Sequence, residues 1–329
     1  MEKHNYDLGL IVRLCKKFTN RGEDWKVSDL TQEYIKKKNL DDVNFENVRK
    51  RINRIVIDKG LKYTTSVKSS KAYEKAKKKS IKKTSVYLVT YAQANTPINK
   101  NLWENMLAYR KEHNAEIIVI PGTYLNPHSE YQNYEHGWHQ DLLPYMHAKE
   151  DKLHNYLTVI SDANVLPTAE RPLRGFEGVT GDESSIIGHP RHHVEVVPTL
   201  PQSRDKFLMT TGAVTVPNYR NARVGKKAKF HHVQGFLIVE VFDEECFVFR
   251  HISATKDGSF QDLCYKVSGG KVSKKGKSDT IVLGDLHLKY RDEDMLKETR
   301  RVAKKLNVSN IVTHDIFDGY SINHHEAKD

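Results

Sequence analysis

The reading of this chain turns on Ile281-Val-Leu-Gly-Asp285-Leu-His287, followed after a charged, helix-compatible segment by Asn310-Ile-Val-Thr-His314-Asp315-Ile-Phe-Asp318. Each block opens on a short β-branched apolar run and closes on Asp and His, with helical periodicity between them. Strand, helix and strand in that order read as a βαβ unit. It carries oxygen and nitrogen donors at the carboxyl ends of both strands, where open α/β sheets build their sites. Residues two apart on a strand face the same side, so Asp285 and His287 are expected to grip one divalent ion, and a parallel neighbour about 4.8 Å away brings Asp315 within reach of it. Carboxylate plus imidazole suits Mn²⁺, Fe or Zn²⁺ better than Mg²⁺ alone.

Working outward, the 329 residues exceed the roughly 250–300 at which a single core stops growing, so two or three domains are expected. Hydrophobic residues make up 38% and charged residues 29%, polar but sufficient for a core. No apolar run approaches the ~20 residues that span a bilayer, and the start, Met-Glu-Lys-His-Asn-Tyr-Asp, has no apolar leader. Three scattered cysteines, Cys15, Cys246 and Cys264, form no disulfide framework, which fits a reducing cytoplasm. The net charge of +11 is unevenly placed: residues 1–83 hold 23 Lys and Arg against 11 Asp and Glu, leaving 30 against 31 for the rest. An excess confined to the first quarter points to an anionic partner there, most simply double-stranded DNA; the plain alternative is a solubilising surface.

Residues 6–59 predict three short helices. Leu8, Ile11, Val12, Cys15 and Phe18 mark the first. Ser28 is a possible cap for the second, with Leu30, Tyr34 and Ile35 inside. Asn44 caps the third, whose buried stripe is Phe45, Val48, Ile52, Ile55 and Val56 and whose other face presents Arg49, Lys50, Asn53 and Arg54 to DNA. With a β-wing over 61–67, residues 1–67 resemble a winged helix-turn-helix; a basic bundle that docks protein has the same pattern. Residues 68–84 read as a lysine-rich linker, either solvated or a frayed helix. Residues 85–268 predict a central mixed α/β domain. Its opening βαβ is Ser85–Thr90, a helix over Lys100–His113, and Glu116–Pro121; Gly235–Phe242 and Cys246–His251 form a hairpin. Lys226-Lys-Ala-Lys229, beside Arg220 and Arg223, reads as a basic loop, and the many histidines of this domain as structural or surface groups rather than a second metal site. The Gly/Lys/Ser stretch Gly269–Ser278 is the expected boundary before a last domain at 279–329.

Gly284-Asp285-Leu-His287, a crossover, then Asp315-x-x-Asp318 resembles the opening of the calcineurin-like metallophosphoesterase family, which includes Mre11-type nucleases. The resemblance implies two divalent metal ions, Mn most readily, with Asp285 and His287 on the first, Asp315 bridging both and Asp318 supporting. Asn323-His324-His325-Glu326 resembles the Asn-His block of that family, which would make Asn323 a supporting residue and His324 the candidate catalytic acid; it follows Asp318 by only five residues, a spacing that favours an extension of the second block, and His314 stands where the family has Gly. The later histidine blocks do not follow, so a βαβ start of an incomplete metallophosphoesterase fold is expected, the chain being either truncated or one half of a split enzyme whose second chain supplies the rest. Together with Ile187-Gly-His-Pro-Arg-His-His193 and the basic start, the whole resembles the N-terminal part of the early host-DNA-degradation proteins of T5-like bacteriophages. That resemblance implies a metal-dependent DNase in the host cytoplasm; the alternative is a DNA-binding regulator or scaffold with a catalytic remnant.

Overall fold

The computed structural model describes residues 6–20, 27–40, 43–58, 70–126, 129–131, 134, 136–200, 202–274, 276, 278–288 and 291–316. The chain divides into two compact units, Met1–Ser66 and Val67–Asp329.

The first unit is three helices, α1 (Leu8–Asn20), α2 (Val27–Lys38) and α3 (Phe45–Asp58). Their helical stripes meet in a core of Ile11, Leu14, Cys15, Leu30, Tyr34, Val48, Ile52 and Val56. Asn44 caps α3 as expected, accepting from the Asn47 amide at 3.2 Å. Ser28 does not cap α2: the helix already starts at Val27, and the hydroxyl turns to the Asp29 carboxylate at 3.4 Å. Leu14, unnamed in the predicted stripe, is buried, while Leu8 is exposed. The expected wing over 61–67 lies outside the described residues.

The second unit is mixed α/β. It opens with α4 (Lys71–Lys78), in the stretch read as a linker. Lysine on one face hid an anchor on the other. Ser70 caps the helix, Tyr73 and Ala76 are buried, and Tyr73 stacks on Trp138 with ring centroids 5.9 Å apart. The strands β1 (Val86–Gln93) and β2 (Glu116–Gly122) flank α5 (Lys100–Glu112). Next come β3 (Glu150–His154), β4 (Leu157–Ile160), β5 (Ser184–Ile187), β6 (Val194–Val197) and β7 (Lys206–Thr210). A helix, α6 (Arg223–His231), precedes the antiparallel hairpin β8 (Gly235–Val241) and β9 (Phe247–Ser253). Three short strands follow, β10 (Phe260–Asp262), β11 (Tyr265–Ser268) and β12 (Lys271–Ser273), and then β13 (Thr280–Asp285), α7 (Glu293–Lys305) and β14 (Asn310–His314).

One sheet has the order β2-β1-β8-β9, with β1 and β2 parallel, and a second the order β3-β4-β5-β7-β6. Strand alternation builds two cores from the first sheet. Leu88, Ile117, Phe236 and Ile238 face α5 through Leu102, Met106 and Tyr109. Their neighbours Tyr87, Val89, Ile118, Leu237 and Val239 pack on Leu157, Val159, Ile186 and Met209 of the second sheet. The approach is close: a methyl on Gly188 would fall 2.4 Å from Ile120 Cγ2. Near α5, Arg250 gathers Asp262 (Nε–Oδ1 2.6 Å) and Glu240 (Nη2–Oε1 3.0 Å), and the Tyr109 hydroxyl donates to Asp262 at 2.6 Å. The Gly269–Ser278 stretch is not wholly a boundary. It begins as the β11–β12 turn, where the Gly270 amide donates to Asn105 Oδ1 at 2.8 Å and Val272 packs on the α5 core.

Candidate metal centre

The βαβ unit predicted from the sequence folds as a two-stranded parallel sheet, β13 beside β14, with α7 between them in the chain. Asp292 caps α7, its carboxylate accepting from the amides of Asp294 and Met295 at 2.9 and 3.0 Å. The register pairs Val282 with Val312 but Asp285 with His314, so β13 carries one extra residue in the Leu283–Gly284 stretch. That bulge shifts Asp285 by one position against β14, and period-two alternation alone would have missed it.

Beyond the strands the two chains stay joined. The amides of Leu286, His287 and Leu288 donate to the carbonyls of His314, Asp315 and Ile316 at 3.0, 2.9 and 3.2 Å. His287 (φ 41°) and Asp315 (φ 37°) both sit in the left-handed region. For side chains other than Gly, Asn or Asp this geometry costs about 1–2 kcal/mol, and such strain collects where geometry serves a site. One donor atom from each of Asp285, His287 and Asp315 lies within 4.8 Å of the others. Donors around a small divalent ion at about 2.0–2.2 Å stand at most about 4.4 Å apart. Separations bounded at 4.8 Å are of the same order as that span. Two carboxylates and an imidazole fit a divalent ion of the Mn²⁺ or Zn²⁺ kind. Both carboxylate residues are exposed. Asp318, Asn323 and His324 lie outside the described residues.

On α3 the predicted DNA-facing residues are less uniform than their spacing implies. Lys50 and Arg54 are exposed, while Asn53 is half-buried. Arg49 is half-buried and paired to Glu46, Nη2 to Oε2 at 2.9 Å. Among the described residues the histidines of the central fold form no cluster of metal-ligand geometry. His232 is held between the Tyr219 hydroxyl and the Thr215 carbonyl, His251 reaches the Thr210 carbonyl at 2.6 Å, and His193 pairs with Glu195 at 2.8 Å. The basic stretch around Lys226 is a helix, α6, rather than a loop. Gly225 obscured it, and glycine is required there because a methyl would lie 1.9 Å from the Arg220 carbonyl oxygen.

The chain is similar to Protein A1 of Escherichia phage T5. Identity is 28% over 266 residues, covering 73% of this chain and 46% of Protein A1, so the chain spans about half the length of that relative. The likeness relates it to a T5-like phage protein. No known family profile and no solved structure matches the chain. Among the described residues no helix is long and apolar enough to cross a membrane.

Proposed function

We propose that the chain is part of a metal-dependent phosphodiesterase that cleaves DNA early in phage infection. The observation that supports this reading is the convergence of Asp285, His287 and Asp315 at the carboxyl ends of two parallel strands. In this reading Asp285 and His287 hold one divalent ion and Asp315 is shared with a second, with Mn²⁺ preferred and Mg²⁺, Fe or Zn²⁺ as substitutes. When bound, the ions supply Lewis acidity to the phosphate and lower the pKa of an attacking water. The chain's own residues would fix donor positions: His287 and Asp315, both on left-handed backbone, each offer one donor atom within 4.8 Å of Asp285. Asp318 and Asn323 support these donors, and His324 hands a proton to the leaving oxygen. Lys50 and Arg54 of α3, in a winged-helix docking, hold the phosphates of double-stranded DNA. Arg49 joins them by leaving Glu46, and Asn53 contributes from its half-buried position.

The test is incubation of the purified chain with duplex DNA and Mn²⁺ or chelator, together with thermal unfolding in the same buffers. Fragments and a raised Tm in Mn²⁺ are expected, and both should vanish in Asp285→Asn; undiminished cleavage by that variant defeats the assignment.

A second reading has its own observation. Val282 and Ile311 are 65% and 53% exposed, and α7 has no buried residue, as in a sheet that lacks its covering layers. In that reading the remaining ligands come from a second polypeptide, or the unit is a remnant in a non-catalytic DNA-binding regulator. DNA retarded but uncut in Mn²⁺ would favour the binder.

A further inference from the structure

A cavity of about 260 Å³ opens between α6 and two loops, 167–170 and 189–191, well away in sequence from the candidate metal centre. Its walls are largely apolar, built by Pro167, Ala169, Pro190, Val224 and Ala228, and it is flanked by Arg191, Arg223 and Lys227. Against these cations stands one carboxylate of the lining, Glu170, 3.6 Å from Lys227 Nζ. Arg191 is held by a donated bond from its Nη1 to the Glu170 carbonyl at 2.7 Å. Its backbone is fixed as well. The Arg191 amide donates to His189 Nδ1 at 3.1 Å, so the other ring nitrogen carries the proton and donates to the Leu166 carbonyl at 3.2 Å.

The cavity continues onto a stripe of α6. Residues i, i+4 and i+7 of a helix share a face, which aligns Arg223, Lys227 and Phe230. Phe230 is 84% exposed, the most exposed large hydrophobic side chain among the described residues. A bare aromatic on a helix with four cations, in a stretch with no Asp or Glu between Asp205 and Glu240, is unusual. Solubility does not call for it, and apolar burial in this chain does not use it. Charge and flat apolar surface together are what unpaired nucleotides need: cations for the backbone and aromatic or apolar surface for the bases. Arg220 and Lys226 are further cations close to the lining residues in the chain.

We propose that the cavity and the adjoining face of α6 bind single-stranded nucleic acid, with one base in the apolar cavity, a neighbour stacked on Phe230, and phosphates on Arg191, Arg223 and Lys227. A free mononucleotide would leave Phe230 unused, and a paired duplex would offer no base to the cavity. The surface is separate from the duplex-holding role proposed for α3 and from the candidate metal centre.

The test is fluorescence anisotropy of a labelled oligothymidylate of about 12 nucleotides with the full chain in chelator, across a salt series. Wild type should bind saturably. Phe230→Ala, a change at an exposed position, should weaken binding by about 5- to 100-fold. Arg223→Ala with Lys227→Ala should lower the salt slope by about 1.4, at ~0.7 per phosphate contact. Asp285→Asn should bind the oligonucleotide as wild type does, so failure of the metal reading leaves this one standing. The proposal is overturned if wild type does not bind the oligonucleotide, or if Phe230→Ala binds within twofold of wild type. It is equally overturned if thymidine monophosphate competes as well as the oligonucleotide, or if Phe230→Ala weakens blunt duplex binding by the same factor.

Discussion

Burial keeps several histidines of the central fold uncharged. It pushes the pKa of His189 and His232 down to about 4, and that of His192 to about 3, where the ring of His251 stacked 4.4 Å away adds its repulsion. In the unfolded chain each returns to about 6.5. Between those values the unfolded chain takes up protons that the folded one refuses. Their contribution is therefore whole above pH ~6.5 and drains away as pH falls toward 4, by about 2 kcal/mol per histidine at pH 5. The urea midpoint of the full chain should drop steeply between pH 7 and pH 5, and His232→Gln should flatten that slope; a midpoint equal at the two pH values would contradict the account. The sequence showed the histidines but not this behaviour. Carbonyl partners such as those of Leu166, Thr215 and Thr210 lie 17 to 41 positions away in the chain.

At the scale of elements, regular alternation was legible and exceptions to it were not. The β1–α5–β2 unit and the β8–β9 hairpin fall close to where their apolar runs put them, because β1, β2 and most of β8 are buried on both faces. The lysines of α4, a stretch read as solvated or a frayed helix, concealed its buried anchor, only Tyr73 and Ala76. Its attachment can be measured: Tyr73→Ala removes a fully packed ring against Trp138 and should cost about 3–5 kcal/mol, with a change in Trp fluorescence. A cost under 1 kcal/mol would return α4 to the status of a spacer. At the candidate metal centre the residue types and the parallel pairing were readable from two short motifs. The extra residue in β13 and the left-handed turns at His287 and Asp315 were not, since they depend on how two loops hydrogen-bond across the strand ends.

At the scale of the molecule, the helical core around Ile52 shares no residue with the two cores of the central sheets. Calorimetry should therefore resolve two transitions. Ile52→Ala, which empties a fully buried site, should lower only that of the helical unit, by about 2–5 kcal/mol; one cooperative transition shifted as a whole would show the units to be energetically fused. The +12 of the first 83 residues was plain from the sequence, as was the near-neutral remainder. The bareness of the β13–α7–β14 unit was not plain, because its apolar pattern is that of an ordinary buried sheet. That bareness has a further consequence. Where none of the described residues excludes solvent, opposite charges 4 Å apart gain about 1 kcal/mol, against about 4 at an effective dielectric of 20. A cation gripped by Asp285 and Asp315 would keep much of its hydration and yield readily to salt. Anything that dried that corner, a nucleic acid strand or another slab of polypeptide, would tighten the grip without altering a single ligand.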